Sequence, residues 1–152
     1  MFNIYFRNDQ PQYNFLIESI KQATKKEEEY EYFYNYLITA APTNEEAEII
    51  RTIRDETRMH YKIFKQMYKD LTGLNIPSKL GSSISPESYL DSIKKAILLE
   101  IKAVDNYKVI RNAFPPMSSY NEILLNIIID ETNHTNKFNY IFSINTTMNK
   151  MR

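Results

Sequence analysis

"IRDETRMHYKIF" at residues 53–64 and "IIIDETNHTNKF" at residues 127–138 are near copies, each setting acids and one histidine into an apolar run. In the second copy Glu131 and His134 stand three apart, which on a helix puts both on one face at a metal-ligand spacing. In the first copy the residue three before His60 is Thr57, and the acid, Glu56, is four before. How these histidines sit in the fold depends on the periodicity around them.

Around His60 the residues Ile50, Ile53, Thr57, His60, Phe64, Met67 and Leu71 recur at spacings of three and four, the seam of an amphipathic helix. Leu124, Ile127, Glu131, His134, Phe138 and Ile141 do the same around His134. Two further seams run from Tyr13 through Leu16, Ile20, Ala23, Glu27, Tyr30, Tyr34 and Leu37 to Ala41, and from Tyr89 through Ile93, Ala96, Glu100, Ala103, Tyr107 and Ile110 to Phe114. Prolines and two glycines divide the chain between these seams. The expected helices cover about residues 11–41, 43–71, 86–114 and 119–145, with a linker at 72–85. Capping boxes at Thr43/Glu46 and Ser119/Glu122, a Ser85-Pro86-Glu87 start and Gly73 as a stop punctuate them.

Four long helices in a chain of 152 residues predict one all-α domain spanning residues 1–152, a four-helix bundle. Short connections at 42 and 115–118 predict two antiparallel hairpins. Fourteen linker residues reach about 46 Å when extended, enough to run along a ~40 Å helix, so the hairpins can be joined by a crossover. A loop confined to one end remains the alternative.

Each seam carries a polar residue where leucine is expected: Glu27, Thr57 with His60, Glu100, and Glu131 with His134. Glu27 lies fourteen residues before Ala41 and His60 seventeen after Thr43, while Glu100 lies fourteen before Phe114 and His134 fifteen after Ser119. All four helices therefore contribute at one level. Buried, unpaired carboxylates cost several kcal/mol each and repel one another, and a pair of metal ions relieves both penalties most simply. Glu28, Glu29 and Glu31 fall off the seam and are expected on a solvated face.

Composition narrows the chemistry. Nineteen basic residues balance nineteen acidic ones, so charge gives no reason to expect nucleic acid or a membrane surface as a partner. The chain has no cysteine, which excludes disulfides, iron–sulfur clusters and a four-thiolate iron site, and leaves carboxylates and imidazoles as metal ligands. "MFNIYFRND" lacks a basic n-region and an apolar core, and no stretch approaches a membrane span, so a soluble, cytoplasmic protein is expected.

With these residues in place, the chain resembles the rubrerythrin branch of the ferritin-like superfamily, over about residues 11–145. Those bundles hold two metal ions with two lone glutamates and two Glu-x-x-His motifs. Glu27 and Glu100 match the lone glutamates, Glu131 with His134 matches one motif, and His60 matches the histidine of the other. Tyr34 and Tyr107, each seven residues after a lone glutamate, resemble tyrosines the family places beside its metals. The resemblance implies a non-haem centre of two iron or manganese ions acting on dioxygen or peroxide, an external electron donor, and a homodimer built through helix faces.

The chain departs from that pattern in three places. Thr57 is neutral where the family has a bridging carboxylate, with Glu56 a sixth candidate ligand that could reach inward from the neighbouring row. Ala103 stands where rubrerythrins carry an extra glutamate associated with peroxide chemistry. The absence of cysteine removes the rubredoxin domain. A bundle with an incomplete metal site, serving packing or partner binding, is the rival expectation, and Thr57 is the residue that favours it.

Overall fold

The computed structural model describes residues 11–78 and 87–152, and these contain four helices and no strand. The helices are α1 (Pro11–Ala40), α2 (Asn44–Thr72), α3 (Tyr89–Ala113) and α4 (Tyr120–Lys150). Thr43 caps α2 in extended geometry, its hydroxyl accepting from the Glu46 N–H at 3.2 Å. Gly73 ends α2 at φ 71°, a left-handed conformation, and returns its N–H to the Lys69 carbonyl at 2.7 Å.

The other two starts differ from the sequence reading. Ser85 and Pro86 lie outside the described residues. Glu87 and Ser88 precede α3 rather than open it, because Ser88 is extended and its hydroxyl accepts from the Asp91 N–H at 3.1 Å. No capping box forms at Ser119, whose backbone is already helical and whose side chain caps nothing. The Ser118 hydroxyl takes the Tyr120 N–H at 3.2 Å instead. At its far end α4 runs to Lys150 instead of stopping at 145, since neither glycine nor proline interrupts "INTTMNK".

Side-chain contacts give the order and direction of the helices. The Tyr13 hydroxyl donates to the Leu71 carbonyl at 2.7 Å, and Gln12 donates to the Ala113 carbonyl at 3.3 Å, so α1 begins where α2 and α3 end. The Tyr140 hydroxyl reaches Glu45 and Asn145 reaches Glu46, each at 2.8 Å, so α4 ends where α2 begins. The pairs in contact are α1 with α2, α3 with α4, α1 with α3, and α2 with α4, which places α2 diagonal to α3. These two run parallel, and α3 starts beside Glu46 through a 2.8 Å hydrogen bond from Tyr89. Thr72 and Tyr89 therefore lie at opposite ends, as a crossover requires. Ile76 is buried, and Ser78 donates to Glu28 on α1. Glu28 is consequently buried and not on the solvated face expected for it, while Glu29 pairs with Lys26 and Glu31 with Arg58.

The core follows the four seams, and apart from Ala41 and Tyr89, which are partly exposed, every seam residue is buried. Burying each large apolar side chain contributes roughly 1.5–3 kcal/mol. That sum carries the ionisable residues inward with it.

Candidate metal centre

Glu27 on α1, Thr57 and His60 on α2, Glu100 on α3, and Glu131 and His134 on α4 are all at most 2% exposed. They meet at one level. His60 Nδ1 lies 2.8 Å from Glu131 Oε1 and 3.8 Å from Glu27 Oε2. His134 Nδ1 lies 3.5 Å from both Glu131 Oε1 and Glu100 Oε2. Two groups result, Glu27/His60/Glu131 and Glu100/Glu131/His134, each with its ligand atoms within 4.8 Å of one another. Glu131 belongs to both, and the imidazoles stack with centroids 5.9 Å apart.

The remaining atom of each lone glutamate and histidine has a partner outside the cluster. Tyr107 donates its hydroxyl to Glu27 Oε1, and Tyr34 donates to Glu100 Oε1. The tyrosines serve the glutamate of the opposite helix, because α1 and α3 are antiparallel and seven residues carries each side chain about 10 Å along its axis. His134 Nε2 contacts Glu56 Oε2 at 2.5 Å, and His60 Nε2 contacts Asp130 Oδ2 at 3.0 Å. An Nε2–H held by a carboxylate leaves the Nδ1 lone pair of a neutral ring pointing at the cluster, the arrangement that orients metal-binding histidines.

Among the described residues, six buried side-chain atoms lack a hydrogen-bond partner: Glu27 Oε2, Thr57 Oγ1, His60 Nδ1, Glu100 Oε2, Glu131 Oε1 and His134 Nδ1. The 2.8 Å contact of His60 with Glu131 does not form a directed hydrogen bond. Leaving a buried polar atom unsatisfied costs about 1–3 kcal/mol, so orphans gathered at one point call for a ligand. Three carboxylate oxygens and two imidazole nitrogens are the donor set that iron and manganese accept. Each of the two groups could hold a metal ion.

Electrostatics without an ion tells the same story. Burial, reinforced by the charge of Glu131, pushes Glu27 well above the usual carboxylate range and Glu100 up to about 8. Burial would also raise Glu131, but the two histidines outweigh it and hold that carboxyl at about 2. Burial disfavours both imidazolium forms. Asp130 and Glu131 nevertheless hold His60 up at about 10, and Glu100, Glu131 and Glu56 hold His134 up at about 12. Without a cation the cluster therefore retains protons that a divalent ion would replace.

The geometry brings five of the six sequence candidates into one cluster and sets Glu56 outside it. Glu56 is 44% exposed at its side chain and reaches the far nitrogen of His134, where its carboxylate is held below the ordinary range by that hydrogen bond. Sequence reasoning missed Asp130, the counterpart of Glu56. Aligning the two copies on their histidines would have found it, because an acid stands four before each: Glu56 before His60, Asp130 before His134. Each acid crosses to the other helix's histidine. Glu56, His60 and Asp130 line a cleft of about 240 Å³ between α2 and α4, whose other walls are mainly apolar side chains such as Met59, Ile63 and Ile127. On the opposite side, Ala103 lines a pocket of about 400 Å³ with Tyr30 and Tyr107. The chain matches no protein-family model, no curated protein and no solved structure, so function is argued from this geometry.

Proposed function

We propose that the protein is a di-metal carboxylate protein of the rubrerythrin and ferritin-like kind, holding two iron or manganese ions and performing oxidoreductase chemistry on dioxygen or peroxide. The observation that carries this reading is the convergence of five orphaned ligand atoms from four helices on one buried point. Glu27 and His60 would hold one ion, Glu100 and His134 the other, and Glu131 would bridge them. Two redox-active ions so held would supply the electrons that reduce the oxidant.

The chain's own residues prepare that site. Tyr34 and Tyr107 fix one oxygen of each lone glutamate and leave the other facing inward. Glu56 and Asp130 fix the imidazole tautomers and take up positive charge from them. Burial excludes bulk water from the cluster. Electrons come from an external donor, since the chain has no cysteine to hold a rubredoxin-type iron. We place the protein in the cytoplasm and as a homodimer, and no helix among the described residues is long and apolar enough to cross a membrane.

Thr57 favours a second reading, a bundle that kept the pocket and lost the reaction. Loading the protein with Fe(II) and following loss of ferrous iron on adding peroxide separates the two. The redox reading expects rapid oxidation that Glu131→Gln removes. Oxidation no faster than that of free iron supports a structural role.

A further inference from the structure

Eight other threonines lie within the four helices, and each gives its hydroxyl to a carbonyl three or four residues back, at 2.7–3.0 Å. That is the ordinary habit of a helical threonine, and it satisfies the hydroxyl at no cost in space. Thr57 alone departs from it. Its hydroxyl is buried, with the residue 1% exposed, and has no hydrogen-bond partner among the described residues, unlike the other eight. Something other than the helix is the expected acceptor.

The repeat says where that acceptor lies. Thr57 stands three before His60 as Glu131 stands three before His134, so it occupies the position facing the cluster from α2 that Glu131 occupies from α4. On the proposed reading, Glu27, Glu100 and Glu131 bring three negative charges to two divalent ions carrying four positive ones, with both imidazoles neutral. Within the ligand set one positive charge is left, because the carboxylates of Glu56 and Asp130 lie on the far side of the imidazoles and are partly exposed to solvent, and an uncompensated charge in a buried site is costly. A single monoanion restores neutrality and can accept the Thr57 hydrogen bond.

We propose that Thr57 marks an anion subsite, in which a small exogenous carboxylate of formate or acetate size sits on the metal pair where α2 offers no carboxylate of its own, accepting a hydrogen bond from Thr57 Oγ1. This rests on the di-metal reading. The ligand's charge complements the three glutamates, its second oxygen is free for the metal pair, and it need be no larger than the group that threonine lacks relative to glutamate. The second metal ion is thereby anion-dependent: the protein holds one ion unaided and the second together with the carboxylate.

Cobalt(II) titration of the metal-free protein, read by its visible absorption with and without millimolar formate, tests this without any turnover. Wild type and Thr57→Ser should bind the second cobalt about tenfold more tightly with formate, the low end of what outer partners of a metal ligand contribute. Thr57→Val, which keeps the shape and removes the hydroxyl, should lose the formate effect while keeping wild-type helicity. Thr57→Glu should bind two cobalt ions tightly and ignore formate. Two ions bound equally by wild type in the presence and absence of formate overturn the subsite and leave the metal centre standing, as does an unchanged formate effect in Thr57→Val. No cobalt bound by any form, with helicity intact, overturns the metal reading and the subsite with it.

Discussion

Replacing Glu56 by glutamine removes a negative charge 2.5 Å from His134 Nε2 while preserving an acceptor for its N–H. If Glu56 acts through the imidazole, the variant still loads both ions but holds the one at His134 more weakly. Outer partners of this type contribute about 10–100-fold in metal affinity. The Glu56 side chain is 44% exposed, so solvent screens it, and the low end applies: about tenfold, or ~1.4 kcal/mol. Asp130→Asn, at 3.0 Å from His60 and 40% exposed, should cost the other ion a similar amount. Because the two acids act on different histidines, their losses in the double variant should add. Competition titration against a chelator of known affinity measures each step. Complete loss of one ion in Glu56→Gln would make Glu56 a ligand, and unchanged affinity in both variants would mean the outer carboxylates do nothing for the imidazoles.

Three further outcomes follow from the geometry. Glu131→Gln should weaken both ions, whereas Glu27→Gln and Glu100→Gln should each weaken one, because only Glu131 belongs to both groups; stoichiometry at equal free metal distinguishes these patterns. Tyr107→Phe and Tyr34→Phe should each cost about 1–3 kcal/mol in denaturant unfolding of the metal-free protein, since each strands a buried carboxylate oxygen; a loss no larger than for an exposed tyrosine such as Tyr32 would contradict the pairing. The metal-free protein holds protons on His60 to about 10 and on His134 to about 12 against an ordinary 6.5, and on Glu100 to about 8 against 4.5. Folded protein then binds more protons than unfolded from about pH 4.5 upward, so its stability should fall as pH rises, first through Glu100 between about 4.5 and 8 and then also through the histidines above about 6.5, while the depressed Glu131 acts oppositely only below 4.5. Metal binding must expel those protons, so affinity should rise with pH, and calorimetry in buffers of different ionisation enthalpy should detect their release.

The bundle was legible because long seams with few glycines leave one packing solution, and the level of the site was legible because helix rise converts residue counts to heights. Glu27, His60, Glu100, Glu131 and His134 were found in this way. The place of Glu56 stayed open in the sequence because a position 40° from His60 on an ideal helix is compatible with the cluster and with the rim alike, and only the packing of α4 against α2 decides between them. Asp130 went unseen because Glu131 already stands at the metal-ligand spacing from His134, so the acid four before that histidine drew no role of its own. The Ser119 cap failed because Ser119 is itself already helical and Ser118, two residues after the proline pair, takes the first free N–H of the turn, that of Tyr120. The burial of Glu28 depended on the linker segment carrying Ser78, which no helical periodicity reports.

The central claim is that a buried cluster on four helices holds metal. Metal-free protein should be exposed to excess Fe(II), and in parallel to Mn(II), without oxygen, then freed of unbound ions and analysed for metal per chain. The account predicts about one ion per chain without an added carboxylate, rising toward two, one for each of the groups that share Glu131, when a carboxylate is supplied, and a content reduced to background in the His60→Ala/His134→Ala double variant. Wild-type protein, fully helical, that retains no more metal than that double variant would contradict it.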